Sequence, residues 1–273
     1  MIVFDRLKMA ISIIIWGNSY RRAWEIIGRK RDTALPMIDN SKNEEEISKS
    51  GQEVAERMQK AMNIQENMRV LDIGCGIGRV GKYLAPHCAE WVGVDISKGL
   101  LRIARERMKD DPNAKLAHIE NANLKLFPDN SFDAIYAHIV LLHLDKEDMW
   151  EYLLEAKRVL KPYGVFYFDT FNLMDEWGFK RFEWEIDIYR GKDRALHRGH
   201  WSTPEEIRRY LEKADLRILH LHDSSYLIQA FTTKGDGNTN ETDKIEALRQ
   251  SMRNTQLMVP LGDARWWEPE PGK

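Results

Sequence analysis

Between Val70 and Phe168, short apolar runs alternate with segments of helical spacing, and this alternation constrains the fold more than any other feature of the sequence. Val70–Ile73, Trp91–Val94, Leu116–Ile119, Phe132–Tyr136 and Val165–Phe168 read as buried strands. A glycine-rich turn and a helix through Val80 and Leu84 follow the first. A helix starting near Ser97, a good N-cap, follows the second, with Leu100, Ile103, Ala104 and Met108 on one face. Asp145 opens another, with Met149, Leu153, Ala156 and Leu160 in register. Lys161-Pro162-Tyr163-Gly164 is expected to turn that helix into the fifth strand. Strands separated by helices imply βαβ units, hence a parallel sheet with right-handed crossovers. Leu216–Leu221 and Tyr226–Thr232 add two strands joined by Asp223-Ser224-Ser225, a link too short for a parallel crossover, so this pair is antiparallel.

After the fifth strand the period changes to two. Phe182, Trp184, Ile186 and Ile188 alternate with Glu183, Glu185, Asp187 and Tyr189. Gly191-Lys192-Asp193 then offers a turn and Ala195–Trp201 a return strand, which predicts a β-hairpin inserted over 173–201. Thr203-Pro204-Glu205-Glu206 reads as a capping box opening a helix through Ile207, Leu211 and Ala214. The central domain is assigned to 47–233, beginning with a helix carrying Val54, Met58, Ala61 and Met62. Residues 1–46 form an N-terminal extension, with an apolar stretch Ile11–Trp16 and a basic, aromatic segment of Tyr20, Arg21, Arg22, Trp24, Arg29, Lys30 and Arg31. A polar extension, 234–273, carries a short helix over 241–258 and Trp266, Trp267 and Pro269 as a docking end.

Lys+Arg 41 against Asp+Glu 43 gives a net charge of −2, so binding of nucleic acid through a global basic field is not expected. Two cysteines, Cys75 and Cys88, are too few for a disulfide framework, and a reduced, cytoplasmic setting is the expectation. The run Met9–Trp16 is far shorter than the ~20 residues of a membrane span and follows Asp5, Arg6 and Lys8, unlike a signal peptide. The basic segment could instead lie on an anionic membrane surface as an interfacial helix, or cap the central domain. Nothing in the sequence specifies an oligomeric state.

The chemistry is concentrated in Val70-Leu71-Asp72-Ile73-Gly74-Cys75-Gly76-Ile77-Gly78-Arg79, where a strand meets a helix. Glycines there let a ligand approach the backbone. Asp95 stands 19 residues after Gly76, at the end of the second strand, where a carboxylate can hold a ribose diol. Gly76-x-Gly78-x-x-Gly81 formally matches the dinucleotide fingerprint. Asp72 opposes that reading, because a carboxylate beside the turn repels a diphosphate. A cofactor with a cationic ammonium and sulfonium suits an acidic turn.

Four segments in order carry a family resemblance: Leu71-Asp72-Ile73-Gly74-Cys75-Gly76-Ile77-Gly78, Val92-Gly93-Val94-Asp95-Ile96-Ser97, Phe127-Pro128-Asp129-Asn130-Ser131-Phe132-Asp133 and Arg158-Val159-Leu160-Lys161-Pro162-Tyr163-Gly164. They resemble the successive motifs of class I S-adenosylmethionine-dependent methyltransferases, more narrowly the small-molecule branch, over roughly 48–233. The resemblance implies a Rossmann-like, doubly wound α/β sheet of seven strands, mostly parallel with an antiparallel C-terminal strand, and S-adenosylmethionine as cofactor. By position, Asp72, Gly74, Cys75, Gly76 and Gly78 would line the methionine end, Asp95 would bind the ribose and Ile96 would pack on adenine. Glu120-Asn121-Ala122 stands where the family often has Gly-Asp-Ala, so Asn121 and Ala122 would meet the adenine edge, and the His138 backbone would lie near the methionine amino group.

Methyl transfer needs chiefly a positioned, desolvated nucleophile, with a general base optional. His138 and His143 are the candidate bases, with Tyr136 and Asp169 at strand ends as further candidates. The Asn/Asp-Pro-Pro-Tyr signature for adenine or amide acceptors is replaced by Ala137-His138-Ile139-Val140. Acceptor contacts are expected from the inserted segment, where Phe171, Trp177, Phe179, Phe182, Trp184, Tyr189 and Trp201 suit an apolar or aromatic small molecule. His197/His200 and His220/His222 are not accompanied by a full ligand set, so no metal is expected. A catalytically silent cofactor-binding module and an RNA methyltransferase acting through the basic segment stand as alternatives.

Overall fold

The structure is a computed structural model that describes residues 20–39, 41, 43–192 and 198–253. The strands are β1 (Arg69–Ile73), β2 (Glu90–Asp95), β3 (Ala114–His118), β4 (Phe132–Ala137), β5 (Leu160–Asn172), β6 (Trp201–Ser202), β7 (Arg217–His222) and β8 (Leu227–Thr233). The helices are α1 (Tyr20–Ile27), α2 (Arg31–Asp39), α3 (Glu44–Ala61), α4 (Gly81–Leu84), α5 (Lys98–Arg107), α6 (Lys146–Val159), α7 (Glu176–Tyr189), α8 (Pro204–Lys213) and α9 (Glu241–Arg253).

Apolar residues on both faces of the central strands make the sheet a buried layer. Along β1, Leu71 and Ile73 pack into one cluster while Val70 packs into the cluster on the opposite face. The sheet runs β3-β2-β1-β4-β5-β8-β7, with the two-residue β6 pairing off β5. β1 to β5 are mutually parallel and β8 is antiparallel to both β5 and β7, as the short Asp223–Ser225 link requires. Strand order reverses between β2-β1 and β4, and in open α/β sheets that switch point holds the ligand crevice beyond the carboxyl ends of the strands.

The expected hairpin over 173–201 is not formed. Its first arm is the helix α7, with the Asp175 side chain accepting from the amides of Trp177 at 3.0 Å and Gly178 at 3.1 Å. Phe182, Trp184, Ile186 and Ile188 are all half-buried on this helix, and an N-cap outweighs a short alternation once the first turn is nucleated. Of the expected return strand, residues 193–197 lie outside the described residues. Trp201-Ser202 pairs in parallel with Phe171-Asn172, and Trp201 stacks on Phe171 at 4.6 Å. The expected turn at 161–164 is instead an irregularity within β5, where Tyr163 has φ +63° and the β4 register shifts between Phe132 and Ala134.

α1 and α2 cover the switch point. Tyr20 Oη donates to Asp148 of α6, and Arg21 Nη2 donates to both oxygens of the same carboxylate at 2.9 and 3.0 Å. Arg31 pairs with Glu44. The apolar stretch Ile11–Trp16 lies outside the described residues, as do Trp266, Trp267 and Pro269. α9 accounts for 241–253 of the expected C-terminal helix, burying Ile245. No helix among the described residues is long and apolar enough to cross a membrane.

Candidate active site

Beyond the carboxyl ends of β1, β2 and β4 lies a cavity that opens to solvent, at the place where open α/β sheets bind their ligands. β1 and its turn contribute Asp72, Gly74, Cys75, Gly76, Arg79 and Val80; β2 and α5 contribute Asp95, Ile96 and Leu100. Tyr136, His138, Ile139, Val140, His143 and Leu144 come from β4 and the turn after it. Tyr20, Trp24, Met37 and Ile38 roof it from α1 and α2, and Tyr152 reaches in from α6.

The turn after β1 has Gly74, Gly76 and Gly78 in the left-handed region. At Gly76, φ +55°, a side chain would project toward the cavity roof, with Ile38 Cδ1 3.3 Å from its first carbon. At Gly78 the same addition would strike Met108 Sδ at 2.9 Å, so that glycine serves the packing of α5 and does not line the cavity. The turn leads to α4, a helix of four residues, too short to present a strong N-terminal dipole to a diphosphate.

Two buried carboxylates face this cavity. Asp95 accepts from the Gly76 amide through Oδ2 and from the Ser97 amide through Oδ1, both at 2.8 Å. Burial outweighs these hydrogen bonds and pushes its carboxyl up to about 6. Asp72 accepts from Tyr136 Oη at 2.8 Å, and Tyr136 in turn accepts from Trp91 Nε1 at 2.9 Å. Burial pushes the Asp72 carboxyl well above the usual range; the Tyr136 hydrogen bond and the Arg79 guanidinium oppose this and the Asp95 charge adds to it. A cationic ligand lying against both would return them to the ionised form, each pKa unit recovered being worth about 1.4 kcal/mol. This donor set fits an ammonium and a sulfonium at one end and a ribose diol at the other, and does not fit a diphosphate.

Cys75 is buried, and its thiol is pushed well above the usual range by burial and by the Asp72 and Asp95 charges, so it lines the cavity without being nucleophilic. Arg79, which directly follows the glycine turn, is the lining cation that the motif reading overlooked; it donates to Ser50 at 3.2 Å and sits 3.6 Å from Asp39.

His138 and His143 both line the cavity. His138 Nδ1 lies 2.6 Å from Asp169 Oδ2, and Asp169 Oδ1 accepts from the Ile139 amide at 2.7 Å. His143 meets the Trp24 ring edge to face at 5.2 Å. Asn121 is exposed and Ala122 is fully buried, and neither lines the cavity. Trp177, Phe182, Trp184 and Tyr189 lie on α7 and are not brought to the cavity either, because β5 continues to Asn172 before the insertion starts. The aromatic side chains of the cavity come instead from α1, β4 and α6, as Tyr20, Trp24, Tyr136 and Tyr152. Among the described residues no group of three or more His, Cys, Asp or Glu side chains is arranged to hold a metal.

Residues 71–168 match the family described as "Methyltransferase domain". The phosphoethanolamine N-methyltransferase of Plasmodium falciparum is 32% identical over 135 residues, covering 49% of this chain and 50% of that protein. The sterol 24-C-methyltransferase of Aspergillus fumigatus is 37% identical over 109 residues, covering 38% and 28%. The chain thus spans half or less of these relatives' lengths. In fold it is similar to the phosphoethanolamine N-methyltransferase 1 of Haemonchus contortus, solved with phosphoethanolamine and S-adenosylhomocysteine, with a TM-score of 0.57 at 14% identity over 85% of this chain and 52% of that one. Residues 71–168 thus carry the methyltransferase domain of the matched family, and the described residues share the fold of the solved methyltransferase.

Proposed function

We propose that the protein transfers a methyl group to a small, neutral, apolar or aromatic acceptor. One observation carries this reading: Asp72 and Asp95, both buried, face a single cavity at the ends of neighbouring strands. In this reading Asp95 holds the ribose diol and Ile96 and Leu100 flank the base. Asp72 faces the cationic amino-acid end, and Arg79 is placed to meet its carboxylate. Gly74, Cys75 and Gly76 supply the close backbone surface. S-adenosylmethionine, when bound, supplies a methyl carbon activated by positive sulfur, so that the chain's own task is positioning and exclusion of water.

The acceptor would enter under α1, between Tyr20, Trp24, His138, Ile139, His143 and Leu144. Among the described lining residues Arg79 is the cation, and it is held against Asp39 and Ser50. This lining favours an uncharged acceptor over a phosphate monoester. His138 and His143 are the groups positioned to take a proton. Calorimetric titration of the full chain with S-adenosylmethionine and S-adenosylhomocysteine tests the cofactor, with micromolar binding expected; folded protein that binds neither would reject the reading. Labelled-methyl transfer into a metabolite extract, with the product identified by mass spectrometry, then tests the acceptor.

A further inference from the structure

His138 ends a chain of hydrogen bonds that runs across the sheet, away from the cavity. Gln229 Nε2, on β8, donates to Tyr167 Oη at 3.2 Å, and Tyr167 donates to Asp169 Oδ2 at 2.8 Å. The same oxygen lies 2.6 Å from His138 Nδ1. Gln229, Tyr167 and Asp169 are buried, Asp169 completely. The direction of the chain is set by its far end: the Gln229 amide uses the phenolic oxygen as acceptor, so the Tyr167 hydrogen is left for Asp169. A carboxylate only accepts, so Nδ1 carries the proton in the neutral ring and Nε2 holds the lone pair.

Asp169 also holds the backbone at this point. Ile139, a β-branched residue, has φ +58°, a conformation that costs about 1–3 kcal/mol and persists only where the surroundings enforce it. Its amide donates to Asp169 Oδ1 at 2.7 Å. One carboxylate therefore orients the imidazole and pins the strained residue beside it, both on the cavity wall.

We infer that Tyr167, Gln229 and Asp169 are positioning residues that hold His138 with Nε2 as proton acceptor, and that the methyl acceptor is accordingly a nucleophile carrying a removable proton, a hydroxyl or a neutral amine. This rests on the methyl-transfer reading above. As the acceptor heavy atom bonds to the methyl carbon, the carbon–sulfur bond breaks with its pair retained by sulfur and the acceptor's proton passes to His138 Nε2. The imidazolium formed faces the Asp169 carboxylate and returns its proton to water at the cavity mouth. A thioether or tertiary amine would leave this base without a task.

The full chain is first titrated with S-adenosylhomocysteine; failure of the wild type to bind rejects the methyl-transfer reading and leaves the hydrogen-bond chain to be judged separately. Nitrogen-15 histidine NMR then reads the His138 tautomer, with His138→Asn assigning the signals. The Nδ1–H form is expected in the wild type, with the Nδ1 proton signal displaced in Tyr167→Phe and Gln229→Leu and lost in Asp169→Asn. An Nε2–H form, or spectra unchanged by Tyr167→Phe, overturns the proposal. Should Asp169→Asn fail to fold, the two milder variants still decide. In labelled-methyl transfer with a metabolite extract, His138→Asn is expected to lose about 10²–10⁴-fold in rate, the range a general base supplies, and the product to be an ether or an N-methyl amine. A sulfonium or quaternary ammonium product, or no product at all, overturns the proposal as well.

Discussion

Tyr136 and Asp72 are register partners on β4 and β1, and the phenol donates to the carboxylate at 2.8 Å while accepting from Trp91 at 2.9 Å. A buried carboxylate beside a second one is thus held by a donor that is itself fixed from behind. Tyr136→Phe removes the donor from Asp72 and the acceptor from Trp91 together. Hydrogen bonds to charged groups contribute about 1.5–3 kcal/mol, so affinity for S-adenosylmethionine should fall by roughly tenfold to a hundredfold. The unpaired indole should lower stability by about 1–3 kcal/mol. Calorimetry and urea unfolding read the two effects separately, and unaltered affinity in the folded variant would remove Asp72 from the cofactor site.

Asp95 gives the site a pH dependence whose sign can be worked out. Its carboxyl is pushed up to about 6, above the value in the unfolded chain, so between those two values the folded protein binds more protons. This group therefore favours folding below the unfolded value, and that contribution is lost as pH rises through about 6. A ligand diol or cation needs the ionised form, so cofactor affinity should rise with pH, by about tenfold per unit below the midpoint at most. Binding near that pH should also release protons, which calorimetry in buffers of different ionisation enthalpy detects. Asp95→Asn should lose affinity by about 1.5–3 kcal/mol and flatten this part of the profile; a profile identical to wild type would assign the titration elsewhere.

Gly76→Val tests how closely the turn approaches the ligand. The left-handed conformation at φ +55° costs a side chain about 1–2 kcal/mol. Its first carbon would already stand 3.3 Å from Ile38 Cδ1, and the added methyls would occupy the cavity. A folded but less stable protein without measurable cofactor binding is expected. Gly76→Ala carries most of the backbone cost with less bulk and should bind more weakly than wild type but detectably. Tight binding by the valine variant would show that the ligand keeps its distance from this turn.

The parts of the fold visible in the sequence are those governed by local periodicity. Val70–Ile73 and Phe132–Tyr136 are apolar runs between helical patterns, and parallel pairing follows from that order alone. The link Asp223–Ser225 is similarly decisive, because chain length forbids any other pairing. α7 is hidden in the sequence because Phe182 to Ile188 fits a period of two, while the Asp175 cap that opens the helix lies seven residues upstream of Phe182. Within the site, Asp72, Gly76 and Asp95 sit at motif positions and could be named from spacing. The Tyr167–Gln229 contact could not: its residues are 62 apart and meet only through the β5–β8 register. Arg79 was within reach, since it directly follows the glycine turn.

The roof of the cavity depends on a contact that can be broken from outside it. Tyr20 and Arg21 of α1 both bind Asp148 of α6, and Tyr20 and Trp24 form part of the cavity wall. Burial, reinforced by the hydrogen bond to Asp148 and its charge, raises the Tyr20 hydroxyl far above its ordinary value, so it remains a donor throughout the working pH range. The Arg21–Asp148 pair is partly exposed, with 35% and 20% of the side chains accessible, so by itself it contributes only about 1 kcal/mol. The phenol, more deeply placed, adds a charge-assisted bond of about 1.5–3 kcal/mol. Asp148→Ala removes both and should loosen α1 without unfolding the sheet, whose strands do not involve this carboxylate. Amide exchange over 20–27 should then accelerate by an order of magnitude or more. S-adenosylhomocysteine should also dissociate faster at a nearly unchanged association rate, since the carboxylate cradle formed by Asp72 and Asp95 is left intact. Arg21→Met should reproduce only the smaller part of both effects. Exchange over 20–27 that matches wild type in Asp148→Ala would mean that α1 is held by its contacts with α5, where Glu25 accepts from the Gly99 amide at 3.3 Å, and that Asp148 does not govern access to the cavity.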